Sequence, residues 1–232
     1  MTQLNRVSKV LSLAICALAF LFFVPASFSE ETGAVKIGNK EFVLPSPKGF
    51  CESSNTLWGK HYRTFLSDLG VSAGGDPEIL SVFRDCESLR SDKLKRHPKL
   101  WGYLAFDRKA NRVWLGQGAL NRRLRKALSV KDPKNLESQI QNLTDTSLEK
   151  MKANIRIGEI KVICDPVETK RGFMTCGLTR LVTASGHQDV YLVSVIFLRN
   201  REILTLTLYR NATDLSDLDG LVSAGKKYLA AL

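Results

Sequence analysis

"EILTLTLYR", Glu202 to Arg210, sets Leu204, Leu206 and Leu208 against Thr205, Thr207 and Tyr209 with a period of two. That is the alternation of a β-strand, whose successive side chains face opposite sides of a sheet. Three runs of the same character precede it: "EIKVICDP" (Glu159–Pro166), "FMTCGLTRLVTA" (Phe173–Ala184) and "DVYLVSVIFL" (Asp189–Leu198). They are rich in β-branched and aromatic residues and separated by short polar turns, so neighbouring runs are expected to pair antiparallel. The chain then closes with "TDLSDLDGLVSAGKKYLAAL", in which Leu215, Leu218, Val222, Leu229 and Leu232 mark one face of a helix. Thr213 is the expected cap, with acids in the first turns and Lys226 and Lys227 towards the end, as the helix dipole favours.

Upstream, Leu57, Trp58, Tyr62, Phe65, Leu66 and Leu69 recur at helical spacing, with Ser53 or Ser54 as cap and Gly70 as stop. "EILSVFR" (Glu78–Arg84) reads as a strand, and Cys86-Glu87-Ser88 opens a short charged helix towards Arg96. "KLWGYLAFDR" and "RVWLGQ" read as a hairpin around Lys109-Ala110-Asn111. "ALNRRLRKAL" (Ala119–Leu128) is an amphipathic helix. A further helix is expected after Asp132-Pro133, carried by Leu136, Ile140, Leu143, Leu148, Met151 and Ile155. No repeat or linker interrupts the pattern. The expectation is a single α+β domain over residues 39–232, an antiparallel sheet flanked by helices as an α/β/α sandwich, preceded by a flexible lead over 30–38.

Residues 1–29 are set apart from that domain. Arg6 and Lys9 precede an unbroken apolar run from Val10 to Val24, and Pro25 and small residues lead to Ser29. This is the layout of a secretory signal cleaved after Ser29. The apolar run is about 22 Å long as a helix, short of a hydrocarbon core of roughly 30 Å. Ile15 is too bulky to make Cys16 a lipid attachment site. The expected product is a periplasmic or secreted chain of roughly 200 residues without a transmembrane segment, long enough for one sizeable core. The whole chain carries a formal charge of +11. Cys51, Cys86, Cys164 and Cys176 remain after cleavage, an even number that in an exported chain reads first as two disulfides with three possible pairings. A strand-helix-strand unit brings Cys51 to Cys86, and Cys164 and Cys176 flank a loop between adjacent strands, so those are the expected pairs.

"FVLPSPKGF", Phe42 to Phe50, resembles the strand-Pro-x-Gly-aromatic opening of the PsbP-like fold family, and the ending of long antiparallel strands plus an amphipathic helix is similar too. The resemblance covers roughly Val35 to Leu232. It implies an exported α/β/α sandwich that acts as an adaptor by binding rather than by turnover. The cysteines, the charged middle and the basic helix depart from that pattern. The chain is also similar to small exported periplasmic proteins of Gram-negative bacteria that carry no assigned function.

No CxxC, HExxH, GxSxG, P-loop or dinucleotide-binding glycine pattern is present, so neither a metal nor a cofactor is expected. Cys51 or Cys86 as a nucleophile requires a histidine base, and His61, His97 and His187 stand in no recognisable motif. Asp85 and Glu87 flank Cys86 but read as residues of a helix start. Two basic clusters remain: Arg122, Arg123, Arg125 and Lys126 on one helix, and Lys93, Lys95, Arg96 and Lys99 before the hairpin. They suit an anionic envelope component or an acidic protein, and export disfavours nucleic acid. The leading reading is a non-enzymatic envelope binding or accessory protein. The competing ones are an exported thiol-dependent enzyme using Cys51 or Cys86 and a carrier of a small apolar ligand held between sheet and helix.

Overall fold

The alternation in Glu202–Arg210 marks the strand around which everything else is arranged. The computed structural model describes residues 34–37, 40–90, 98–109, 115–128, 155–183, 186–199 and 201–232, with isolated positions between 138 and 149. The expected signal segment, most of the helix after Pro133, and Lys93, Lys95 and Arg96 lie outside these residues. The described strands are β1 (Ala34–Ile37), β2 (Lys40–Val43), β3 (Phe50–Glu52), β4 (Pro77–Asp85), β5 (Leu100–Asp107), β6 (Ile155–Val162), β7 (Val167–Glu168), β8 (Phe173–Thr183), β9 (Gly186–Arg199) and β10 (Glu202–Asn211). The described helices are α1 (Leu57–Ser72), α2 (Cys86–Arg90), α3 (Gln117–Leu128) and α4 (Leu215–Ala231).

All strand pairs are antiparallel, in the order β3-β4-β5-β10-β9-β8-β6, with β7 beside β8 and β1 paired to β2 as a separate ribbon. The mixed α+β class and the antiparallel sheet are therefore as the sequence predicts. Of the hairpin expected around Lys109-Ala110-Asn111, the first arm is β5, and residues 110–114 of its turn and second arm lie outside the described residues. Pro77–Arg84 occupies one edge of β5 and Leu204–Arg210 the other. Ala34–Ile37, expected within a flexible lead, instead form β1, because Val35 and Ile37 bury with Phe42, Leu44 and Phe83.

Residues directly opposite on antiparallel neighbours share a face, so the register separates two interiors. On one face Leu204, Leu206 and Leu208 join Val193, Val195, Met174 and Leu104, covered by Leu221, Ala224, Tyr228 and Leu229 of α4. A Cβ on Gly225 would come within 2.7 Å of Val193 and 2.9 Å of Met174, so α4 rests directly on the sheet there. On the other face Thr205, Thr207 and Tyr209 are equally buried, alongside Ser194, Tyr103 and Trp101. The Thr207 and Ser194 hydroxyls lie 3.4 Å apart. Trp58 and Tyr62 of α1 close this side, Trp58 stacked on Tyr62 at 4.9 Å and Tyr62 edge-on to Tyr103 at 6.4 Å. Helices thus cover both faces.

The helix ends differ from expectation in detail. Thr56, not Ser53 or Ser54, caps α1, its hydroxyl accepting from Gly59 N at 2.9 Å. Ser53 is used otherwise, donating its hydroxyl to Val82 O at 3.0 Å. Gly70 lies inside α1, where a side chain would strike Pro77, and the reversal comes at Gly74, with φ of 83°. Asp214 rather than Thr213 caps α4 and forms a reciprocal capping box with Asp217. Asp217 is buried and accepts from the Thr213 hydroxyl, Thr213 N and Asp214 N, and pairs with Arg210.

Both expected cysteine pairs are joined: Cys51 to Cys86 with Cα atoms 5.0 Å apart, and Cys164 to Cys176 at 5.5 Å. The first fastens β3 to the junction of β4 and α2, and the second ties the β7 loop to β8. Cys51-Glu52-Ser53 repeats the tripeptide Cys86-Glu87-Ser88, but in a different conformation: Cys51 is within a strand and Cys86 starts a helix. Neither pair leaves the free thiol that the thiol-enzyme reading needs.

Two outcomes follow from this frame. Alkylation of the native oxidised protein is expected to leave all four of these cysteines unlabelled in an intact-mass measurement, and Cys51→Ser/Cys86→Ser to lower stability to denaturant by about 2–4 kcal/mol. Asp217→Ala is expected to cost roughly 1–2 kcal/mol at neutral pH. The hydrogen bond from Thr213, with further help from Arg210, holds the Asp217 carboxyl below its usual range. Its contribution is therefore present above about pH 4 and lost as pH falls through the lowered value. Chemical unfolding of both proteins across that range should show their difference shrinking in acid.

Candidate functional site

The basic helix is placed by its apolar side. Leu120 and Leu124 of α3 pack with Phe173, Ile196 and Ile203 at the β8–β10 end of the sheet. Arg122, Arg123, Arg125 and Lys126 are accordingly turned outward and exposed. Two amides lock this pose. Gln117 Oε1 accepts from Leu198 N at 2.7 Å, Asn121 Nδ2 donates to Thr169 O at 2.9 Å, and Gln117 Nε2 donates to Asn121 Oδ1 at 2.7 Å.

Of the four expected anion-binding residues, Arg125 is engaged. Its Nε and Nη2 donate to Glu168 Oε1 and Oε2 at 2.5 and 2.6 Å, a bidentate pair that holds the Glu168 carboxyl below its usual range. Glu168 lies on β7, inside the loop closed by Cys164–Cys176. This pair and the Asn121–Thr169 hydrogen bond therefore tie the helix to the loop. Arg122 and Arg123 have no ion pair among the described residues.

The loop brings more positive charge to the same end. After Glu168 the chain turns through Thr169, whose hydroxyl accepts from Arg171 N and Gly172 N, each at 3.1 Å. This fixed turn exposes Lys170 and Arg171, and Arg171 donates to Ala230 O near the end of α4. The neighbouring β9–β10 connection exposes Arg199 and Arg201, with Arg199 donating to Leu232 O at 3.3 Å. Arg201 has a φ of 74°, a left-handed conformation that costs a non-glycine residue roughly 1–2 kcal/mol. Sequence reading missed these four cations because they occur as isolated pairs at two turns. Only the register that sets Phe173 opposite Ile196 brings both turns together.

The second expected basic cluster does not join them. Lys99 adjoins Leu100, which pairs with Arg210 at the far end of β10. The length of that strand puts about 30 Å between the two ends.

The remaining candidates have structural roles. Asp85 Oδ1 accepts from Ser88 N at 2.6 Å and so caps α2. His61 and His187 are exposed on α1 and β9, and His97 lies outside the described residues. Arg84, which the sequence reading passed over inside a strand, is buried with its guanidinium 5.1 Å from the Trp58 ring. Burial lowers its pKa and the nearby Asp85 charge opposes that shift; the contact fastens α1 to β4. Among the described residues no three metal-ligating side chains converge, and no helix is long and apolar enough to cross a membrane. Comparison with family models, with curated proteins and with solved structures finds no match for this chain.

Proposed function

We propose that this is an exported, non-catalytic binding or accessory protein of the cell envelope that docks onto an anionic component through the end of the sheet carrying α3. The observation that carries the reading is the convergence of exposed arginines and lysines from α3, the β7–β8 turn and the β9–β10 turn on one end of the sheet. Long-range attraction from such a surface raises local concentration of an anionic partner and speeds encounter. Export rests on the reading of residues 1–29 and accords with two disulfides, which persist in oxidising compartments. The adaptor role accords with the resemblance to PsbP-like proteins, supported by helices on both faces of an antiparallel sheet.

The test is retention of the oxidised protein on a polyanionic matrix across a salt gradient. Elution is expected at high salt, and Arg122→Gln/Arg123→Gln/Lys170→Gln should elute much earlier with unchanged circular dichroism. Identical elution of the two proteins overturns the assignment of this end as the binding surface.

A further inference from the structure

We infer that the anionic component is the phosphate plane of a membrane surface, met by the α3 end of the protein. The inference rests on the docking reading above and makes it specific.

Shape is the first argument. The cations span the end of the molecule in two directions: along α3, and across the layers from α3 on one face to the end of α4 on the other, bridged by Arg171 to Ala230 and Arg199 to Leu232. Helix layers lie roughly 10 Å from a sheet, so the patch is about 20 Å across its short direction. A linear polymer is matched by a stripe or groove, whereas a patch extended both ways is complementary to a plane of charge.

Exposure is the second argument. A pocket for one phosphate buries at least one of its cations. Here Arg122, Arg123, Lys170, Arg171, Arg199 and Arg201 are all exposed, on a helix face and two turn tips. Such side chains meet headgroups without penetrating the bilayer, and their contributions add. The tips are also fixed in advance by the Asn121 and Thr169 contacts, so little order is lost on docking. Arg201 adds a cation at a backbone position that favours glycine.

The neighbouring part of this end carries both signs. Glu78 pairs with Arg108 at 2.6 Å, and Asp107 Oδ1 accepts from Asp76 N and Lys109 N. Two acids lie inside the patch: Glu168, which Arg125 holds, and Glu202, opposite Arg199 across the β9–β10 connection, so the exposed cations outnumber them.

The experiment is co-sedimentation of the full chain, processed as the expressing cell processes it, with phosphatidylcholine vesicles and with the same vesicles containing phosphatidylglycerol. The protein is expected to bind the anionic vesicles at low salt, to leave them at high salt, and to ignore the neutral ones. Arg122→Gln/Arg123→Gln/Lys170→Gln should weaken partitioning by roughly 10²-fold, at about fivefold per cation. Glu168→Gln removes a negative charge and releases Arg125, so it should strengthen partitioning severalfold, a gain that misfolding does not mimic. Lys48→Gln, at the opposite end, should leave it unchanged. Equal binding to neutral vesicles, or no gain with Glu168→Gln, overturns the inference. Retention on polyphosphate that depends on these cations, without vesicle binding, overturns the membrane assignment and leaves the broader docking role standing. Loss of both overturns both.

Discussion

Burial of β10 on two sides is the constraint on which the fold depends. Leu204, Leu206, Leu208, Thr205, Thr207 and Tyr209 are all almost inaccessible to water. A strand in that position must have neighbours on both edges and a layer on both faces, or its backbone groups and apolar side chains would be left unsatisfied. β5 and β9 supply the edges. α4 and the β1–β2 ribbon cover the aliphatic face, and α1 and α3 cover the face built from aromatic rings and hydroxyls. The two interiors differ in what they ask of their covers. The aliphatic one is secured by close approach, as at Gly225, and the other by ring stacking and by the Ser194–Thr207 hydroxyl pair.

The disulfides act at the margins of this arrangement rather than within it. Cys51–Cys86 fastens an edge strand of only three residues, which few ladder bonds would hold by themselves. Cys164–Cys176 restrains the loop that carries Glu168, and Glu168 in turn grips α3. A covalent bond, an ion pair and two amide hydrogen bonds thus form one chain of constraint from β8 to the basic helix. The consequence is a positively charged surface whose shape is fixed by the fold, a better binding element than the same residues on a loose helix.

Much of this was legible in the sequence, and the failures have physical causes. The four late strands and the last helix were readable because period-two and period-3.6 patterns are local. The cysteine pairs followed from the order of elements around them. The neighbours of β5 were not legible because a run of aromatic and branched residues announces a strand but not its partners, which are β4 and β10. Thr56 and Asp214 were missed as caps because several hydroxyl and carboxyl residues compete at each helix start, and the choice depends on which backbone N–H each one reaches. β1 was hidden because two alternating apolar residues, Val35 and Ile37, are too faint a signal until a sheet is there to bury them.

The sequence by itself determined the α+β class, the antiparallel pairing of the last strands, the cysteine pairs and the basic character of α3, since each depends on periodicity, spacing or composition within a short span. The tertiary structure alone decided that the threonine side of β10 is as buried as the leucine side, that Arg125 is committed to Glu168, and that Lys99 lies away from the other cations while Lys170, Arg171, Arg199 and Arg201 join them. Those are outcomes of strand order and register, which bring together residues whose separation along the chain gives no hint of their meeting.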